Sequence, residues 1–293
     1  MDSIGVIYDS GIINTITKFV SNKLNDDNIR VAFPNALLRE DVLELLDRYC
    51  TVVYYPLYNE SNNGFHINLP QSDGDKCHFV FINTAQTMEK QVFTAAHELG
   101  HIWKVDDYVA SECDIEMDDE TREKVINRFA AELLIPRQEF IEFLLSATAD
   151  LGIDSGRITV SSVLRLIARM MNFFFVPMKS IVLRLLEFNI IDKNGAALLL
   201  GKGEIPCENI QNELEQIIRE QGYTKLLKNT EKKWIEGLAE MLDVVDEKGI
   251  FPSEKIENIR ATFELRRKVD DSKFENTVGL TVQKDDGFCD EDK

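Results

Sequence analysis

Residues 91–107, QVFTAAHELGHIWKVDD, hold two of the four histidines in the chain, His97 and His101, with Glu98 between them. Residues four apart on an α-helix lie on one face about one turn apart, so two imidazoles can reach the same metal ion. Glu98 is displaced around the helix and can face the open coordination position, where it would take a proton from water. The alternative, without a metal ion, is an ordinary core helix in which hydrogen bonds satisfy both histidines.

Gly100 lies inside the same predicted helix, which runs from about Thr87 to Lys104. A glycine in a helix interior costs about 1 kcal/mol relative to alanine. We therefore expect another element to pack closely against the helix at this position.

A catalytic zinc site needs a third protein ligand, and two positions are candidates. Asp107 stands where an HExxHxxGxxH/D pattern places its last ligand, but Lys104 occupies the glycine position of that pattern. Glu123 lies on the next predicted helix, with Asn127 one turn further along the same face. Glu123 could bind the ion while Asn127 holds a histidine by its other ring nitrogen. The neighbouring Asp119 and Glu120 fit the helix N-terminus and its dipole better than a metal site.

The composition narrows the class of protein. The 293 residues are 44% hydrophobic and 29% charged, which is typical of a globular chain, and the formal net charge is −18. Such a charge argues against general affinity for nucleic-acid phosphates or anionic membranes, so neither partner is expected. The N-terminus MDSIGVIYDS is a poor signal peptide, and no run reaches the roughly 20 apolar residues of a membrane span. The five scattered cysteines fit reduced thiols, which predicts a cytoplasmic protein.

The spacing of apolar residues changes from a helical to a strand pattern near residue 50. Residues 1–49 predict two helices with a break at about Asn25–Pro34. Three β-branched and aromatic runs follow, separated by the turn segments NESNNG and QSDGDK, and they predict a small antiparallel sheet. The runs are TVVYYPLY (51–58), GFHINLP (64–70) and CHFVFIN (77–83).

After the histidine helix, Asp118 or Asp119 can cap a helix that Pro136 ends, and Pro136 can open the next one. Beyond residues 147–157, two or three short helices with a tight connection near Phe175–Pro177 are compatible with a helix-turn-helix. The chain from about Gly203 is expected to be helical and acidic, with a solvated tail, QKDDGFCDEDK. We expect an α+β fold with three parts: 1–148 around the histidines, 149–202 helical, and 203–293 of unknown role.

Two segments resemble the ImmA/IrrE family of metallopeptidases. They are FINTAQTMEKQVFTAAHELGH (81–101) and EKVINRFAAELLIP (123–136), in that order, and together they cover about a fifth of the chain. Ile126 and Ile135 stand where the family usually has alanine and methionine, and neither has a chemical role. The later segment 163–192 resembles the helical part that follows the family's peptidase core, though more weakly.

The resemblance implies a minimal zincin core, in which the HExxH helix packs on the small sheet. It implies Zn²⁺ as cofactor, with His97, His101 and Glu123 as ligands and Glu98 as general base. Family members are cytosolic bacterial proteins, often carried by phages or integrative elements, and several cleave a helix-turn-helix repressor. The implied activity is therefore an endopeptidase with a protein substrate of that kind. A His₂Glu site suits zinc, although manganese or iron could occupy it.

Two other functions remain open at this stage. One is a DNA-binding regulator with a structural metal site, in which a locally basic segment reads DNA. Its basic residues are Arg157, Arg165, Arg169, Lys179 and Arg184. The other is an inactive zincin that binds proteins, which the intact Glu98 argues against. The sequence leaves the oxyanion donor unassigned, and the polar residues of the strand region fit a core better than that role. They are Tyr54, Tyr55, His66 and His78.

Overall fold

A computed structural model describes residues 9–34, 37–58, 62–68, 78–153, 159–202 and 207–265. The chain divides into two compact units, Met1–Glu236 and Gly237–Lys293. Several features of the sequence lie outside the described residues: the QSDGDK turn, Arg157, Cys77, Cys289, the acidic tail and the side chain of Cys207. Cys50 and Cys113 are free thiols. The predicted divisions after residues 148 and 202 stay predictions.

The first unit begins with three helices. They are α1 (Ser10–Leu24), α2 (Asp27–Ala32) and α3 (Asp41–Asp47). Asp9 and Asp26 cap α1 and α2 by accepting hydrogen bonds from backbone N–H groups at 3.0 and 2.9 Å. The predicted break at Asn25–Pro34 is therefore wrong in part, because a capped six-residue helix occupies most of it. Six residues are too few to show a helical period in the sequence.

The sheet has four strands in the order β2-β3-β1-β4. The strands are β1 (Thr51–Tyr55), β2 (Gly64–Asn68), β3 (His78–Asn83) and β4 (Trp234–Ile235). The α+β class and the small sheet are confirmed. The all-antiparallel prediction is wrong, because β1 and β3 run parallel, with Thr51 opposite Phe79, while β2 pairs antiparallel with β3. Since β2 lies on the far side of β3 from β1, the chain crosses over between the parallel strands.

Four helices follow β3 and contribute many residues to the core. They are α4 (Met88–Ile102), α5 (Val105–Cys113), α6 (Asp119–Leu134) and α7 (Arg137–Asp150). Asp118 caps α6 by accepting from the N–H of Thr121 at 2.8 Å, and Pro136 separates α6 from α7, both as predicted. The helix α4 buries one apolar stripe completely: Val92, Ala95, Ala96 and Leu99. The close packing expected at Gly100 is confirmed, since a Cβ there would lie 2.8 Å from Phe129.

The rest of the first unit is helical apart from β4. It comprises α8 (Val160–Phe174), α9 (Met178–Glu187), α10 (Lys193–Leu199), α11 (Cys207–Glu220) and a 3₁₀ turn at Thr224–Leu227. Phe175 ends α8 in the left-handed conformation, with φ at 58°, and the axes of α8 and α9 differ by 108°. The tight connection predicted near Phe175–Pro177 is thus confirmed.

Among the described residues beyond Gly203, residues 228–236 depart from the helical prediction. Trp234 and Ile235 form β4, which pairs antiparallel with β1 through Tyr54 and Val53. The second unit contains α12 (Leu238–Glu247) and α13 (Ser253–Thr262). No single helix in the described residues is long and apolar enough to cross a membrane. The bent pair α8 and α9 meets the criteria of length and composition only when taken together.

Candidate metal centre

The two histidines of the HExxH stretch face each other on α4. Their Nε2 atoms are 3.2 Å apart. The apolar stripe of α4 faces the core. The adjacent face of the helix, which carries the two histidines, is therefore turned away from the core. Their rings make a steep angle of 72°, so that both nitrogens point to one place.

Glu123 joins this pair from α6. Its Oε2 lies 3.4 Å from Nε2 of His97, and its Oε1 lies 3.4 Å from Nε2 of His101. The two helices approach closely because Gly100 of α4 packs on Ile126 and Phe129 of α6. The glycine in the sequence is therefore what lets a carboxylate from another helix reach the histidines.

The donor set fits a tetrahedral metal ion. Two ligand atoms bound at roughly 2.0–2.1 Å, with a tetrahedral angle between them, lie about 3.3 Å apart. The two Nε2 atoms are 3.2 Å apart, and each lies 3.4 Å from a different oxygen of the Glu123 carboxylate, close to that value. One ligand atom from each of the three residues lies within 4.8 Å of the other two. Two imidazole nitrogens and one carboxylate also form a common ligand set of catalytic zinc, which leaves one position open for water or substrate.

Asn127 holds His97 from the far side of its ring. Its Oδ1 lies 3.2 Å from Nδ1 of His97, and its amide donates to the carbonyl of Glu123 at 2.8 Å. An oxygen at this position accepts a hydrogen bond from the Nδ1–H group of His97, and in that tautomer the lone pair of Nε2 is available to a metal ion. This is the arrangement that the i, i+4 spacing of Glu123 and Asn127 predicted.

Glu98 lies in the wall of a pocket beside His97 and is only 5% exposed. Burial raises the pKa of Glu98 to about 7, a rise that the charge of His97 opposes and the charge of Glu123 assists. A carboxyl group with a pKa near neutrality can both accept and return a proton at physiological pH. The acidity of Glu98 is therefore compatible with the general-base role expected from the sequence.

The protonation of the two histidines is unequal. Burial lowers the pKa of His97, but its hydrogen bond with Glu123 and the nearby charge of Glu98 outweigh burial and raise it. Burial and the charge of His97 lower the pKa of His101, and the hydrogen bond from His97 lowers that of Glu123. Glu123 thus carries negative charge toward the two imidazoles, of which His97 holds a proton more readily than His101.

The alternative third ligand, Asp107, is engaged elsewhere. Its Oδ1 accepts from Arg122 at 2.8 Å, and Arg122 also binds Asp106. Lys104 has a left-handed backbone with φ at 51°, so the chain makes the sharp turn at this position without glycine. The group of possible ligands in the described residues is His97, His101 and Glu123. Asp119 and Glu120 occupy the first turn of α6, as expected.

The remaining histidines lie next to this group. The ring of His66 on β2 is 6.3 Å from that of His101, and its Nε2 lies 3.0 Å from Nδ1 of His78. All four histidines therefore form one continuous cluster, which the sequence did not indicate. Tyr54 is core, as its strand position suggested, and its hydroxyl donates to Asp47 at 3.3 Å. Tyr55 is partly buried on the same strand.

The pocket beside Glu98 has a volume of about 520 Å³. Its walls come from the start of β2 and from α4, α6 and α9. At one wall, Arg128 and Arg184 bind the carboxylates of Glu132 and Glu187 at 2.8–3.0 Å, and all four side chains are more than nine-tenths buried. The sequence analysis missed this quartet. The available signal was the pair Arg128 and Glu132, four residues apart within an otherwise apolar stretch of α6.

The basic residues that suggested a DNA-reading segment do not form one surface. Arg184 is 1% exposed within the quartet, and Lys179 lines the pocket. Arg165 lies 3.6 Å from Glu220, and Arg169 lies 3.5 Å from Asp150. Arg157 lies outside the described residues.

An α+β core with a His₂Glu site and a buried glutamate beside it defines the zincin class of protein. Residues 48–186 match the family model of the IrrE N-terminal-like domain (Peptidase_M78). This domain, which carries the site, therefore belongs to the ImmA/IrrE family. No curated protein matches the sequence.

Among the solved structures, a transcriptional regulator from Mycobacterium tuberculosis is similar over 61% of this chain, with 14% identity and a TM-score of 0.38. The chain spans about half of that protein, 48% of its length. A likeness of this size supports no conclusion about fold or function.

Proposed function

We propose that this protein is a zinc-dependent endopeptidase. The observation that carries the proposal is the meeting of His97, His101 and Glu123 within ligand distance of one another, with Glu98 beside them. Membership of a metallopeptidase family supports the same reaction. Zinc held by these residues would supply a Lewis acid that polarises the scissile carbonyl and makes water more acidic.

The residues of the chain have separate tasks in this reaction. Glu98 accepts a proton from the attacking water and later delivers it to the leaving amine nitrogen, so the peptide bond is hydrolysed without net proton transfer. Asn127 keeps His97 in the tautomer that presents Nε2. The strand β2 has β3 as its neighbour on one side in the described sheet, and its first residues line the pocket. An extended substrate can pair with the other edge of β2.

The substrate that we propose is a helix-turn-helix repressor, and the setting is a regulatory switch in the cytoplasm of a bacterium, linked to a phage or mobile element. This part rests on the properties of the family. The net charge of −18 agrees with a protein substrate rather than with nucleic acid as the direct partner.

The test is to incubate the zinc-loaded protein with repressors encoded near its gene and to identify the products by mass spectrometry. We expect one or a few cleavage sites, and a rate at least about a hundredfold lower for Glu98→Gln, since a general base contributes that much or more. Unchanged cleavage by Glu98→Gln would refute the mechanism.

A DNA-binding regulator is the second candidate function. The 108° angle between α8 and α9 favours it, because the helices of a helix-turn-helix meet at about 90–120°. Against it, α9 buries most of its surface, including Arg184. A gel-shift series with DNA at increasing salt would support this candidate only if binding were present and weakened steeply as salt rose.

A further inference from the structure

The pocket beside Glu98 is positively charged within an acidic protein. In the whole chain, 51 carboxylates outnumber 33 lysines and arginines. Around the pocket this ratio is reversed, because five cationic side chains and two carboxylates line it. The cationic residues are Lys90, Lys124, Arg128, Lys179 and Arg184, and the carboxylates are Glu98 and Glu187.

The excess positive charge comes from the three lysines, which reach the pocket from three different helices. The two arginines are balanced by Glu132 and Glu187 in the buried quartet. Among the described residues, the ammonium group of Lys90 in α4 donates to the neutral amide oxygen of Gln86 at 3.2 Å and forms no ion pair. Lys124 of α6 pairs with the exposed Glu120, and Lys179 of α9 has no ion-pair partner among the residues that the structure describes. At least two ammonium groups at the rim are therefore available to a ligand.

Two further features of the wall favour a negatively charged ligand. The N-terminus of α9 contributes Pro177, Lys179 and Ser180 to the pocket, and Pro177 gives its first turn no side-chain cap. Backbone N–H groups and the helix dipole at such an end favour an anion. In addition, Nε and Nη1 of Arg128 have no hydrogen-bond partner among the described residues, although this side chain is only 7% exposed.

Part of the pocket lining is apolar and comes from Phe93, Ala131 and Leu183. A ligand that fits must therefore bring an aliphatic stem as well as a charged end. The volume of about 520 Å³ is large enough for more than one side chain. Because Glu98 and His97 belong to the lining of the pocket, a ligand bound there lies near the bond that the proposed peptidase would cut.

We propose that this pocket binds a carboxylate of the peptide substrate next to the scissile bond, through Lys90, Lys179 and the N-terminus of α9. The inference rests on the proposed peptidase function and adds its substrate class, a peptide with Glu or Asp beside the cleavage site. The carboxylate can belong to a side chain or to the C-terminus of the substrate, and both present the same chemistry to the pocket.

The first experiment measures cleavage preference. The zinc-loaded protein is incubated with ten-residue peptides of randomised sequence, in one set with amidated and in another with free C-termini, and the cut bonds are identified by mass spectrometry. We expect Asp and Glu to be enriched at least about threefold at one position within three residues of the cut bond in the amidated set. Cleavage that occurs only near free C-termini would assign the carboxylate to the chain end, and cleavage with no acidic preference in either set would overturn the proposal.

The second experiment reverses the charge at the rim. The double variant Lys90→Glu, Lys179→Glu should reduce the preference for acidic over basic peptides by about tenfold, since each exposed ion pair contributes a modest amount. The matched control is the double variant Lys18→Glu, Lys225→Glu, which changes the net charge by the same amount at two exposed lysines outside the pocket lining. An equal loss in the control would show that the long-range field, not the pocket, sets the preference.

A third measurement separates this proposal from the proposed function. Immobilised Glu98→Gln protein is mixed with the same peptides at 0.3 M salt, and the retained peptides are sequenced. At this salt concentration the Debye length is shorter than about 8 Å, so charges distant from the pocket contribute little to binding. Retention of acidic peptides, lost in the double rim variant, supports the pocket even if the wild-type protein cuts nothing. Cleavage by the wild-type protein without acidic retention would leave the peptidase standing and refute the pocket.

Discussion

Single contacts determine whether the three ligand atoms meet. Gly100 sets the distance between α4 and α6, and Asn127 fixes the ring of His97. The sequence pattern indicated both residues: Gly100 is an unfavourable residue inside a helix, and Asn127 lies one turn from Glu123. Their roles can be measured separately, because one affects the stability of the fold and the other affects the metal.

Replacing Asn127 by alanine should weaken zinc binding by roughly 10–100-fold, because His97 loses the acceptor that selects its tautomer. The measurement is a zinc titration against a competing chelator. Asn127→Asp keeps an oxygen acceptor at the same place and is the control, expected to bind zinc within a few-fold of the wild type. Equal affinities for the alanine variant and the wild type would contradict the role of Asn127.

Gly100→Ala should lower the free energy of unfolding by about 1–2 kcal/mol. The new methyl group would lie 2.8 Å from the buried ring of Phe129, and overpacking of this kind costs more than the gain in helix propensity. Gly195→Ala, in α10, serves as the control, because its Cβ would meet the side-chain oxygen of Asp192 at 3.2 Å and the Cβ of Ile191 at 3.7 Å. Urea denaturation of both variants checks the prediction, which fails if Gly100→Ala is as stable as the wild type.

At the scale of elements, the buried quartet joins α6 to α9 and so connects the metal site to the helices that follow it. Arg184 donates to Glu132 at 3.0 Å, to Glu187 at 2.9 Å and to the carbonyl of Ile135 at 2.6 Å. Breaking a buried network leaves charges without partners, and the cost is larger than the net value of the intact pairs.

Arg184→Met should therefore destabilise the protein by about 3–5 kcal/mol, because Arg128 alone would face two buried carboxylates. Arg219→Met is the comparison, since Arg219 forms an exposed pair with Glu215 at 3.5 Å and should change stability by less than about 0.5 kcal/mol. Chemical denaturation of both variants measures the difference. Similar stabilities would mean that the quartet does not hold the two helices together.

The elements differ in how far the sequence predicts them. The helices α4 and α6 are predicted with their facing residues, because each has a strong 3.6-residue period, and the cap of α6 is predicted from Asp118. The direction of β1 against β3 is not encoded in the alternation of either strand, and β4 is too short to show any alternation. The pocket likewise depends on side chains from distant helices, and their convergence is a property of the packing alone.

At the scale of the whole molecule, the metal site, the sheet and the main hydrophobic core all lie in the first unit. The last buried residue of this core is Leu226. The second unit, Gly237–Lys293, has its own small set of buried residues: Leu242, Ile256 and Arg260, with Arg260 bound to Asp243. Neither the sequence nor the family match, which ends at residue 186, gives the second unit a role.

A shortened chain that ends at Glu236 should fold and retain one zinc ion, because it keeps the whole core cluster of the described residues. A chain that ends at Lys202 should be unfolded or strongly destabilised, since α8 would lose the apolar face of α11. That face comprises Ile210, Leu214, Ile217 and Ile218. Circular dichroism and thermal melting of both chains test the expected division after residue 202. A stably folded chain 1–202 would support that division and contradict this prediction.

The meeting of His97, His101 and Glu123 about one ion is tested most directly by counting metal. Each protein is dialysed against a weak chelator, and its zinc content is measured by elemental mass spectrometry. The wild type should contain one zinc per chain, while His97→Ala and Glu123→Ala should contain almost none. Asp107→Ala should keep its zinc, because Asp107 is bound to Arg122 instead. One tightly held zinc in Glu123→Ala, or its loss in Asp107→Ala, would contradict the account.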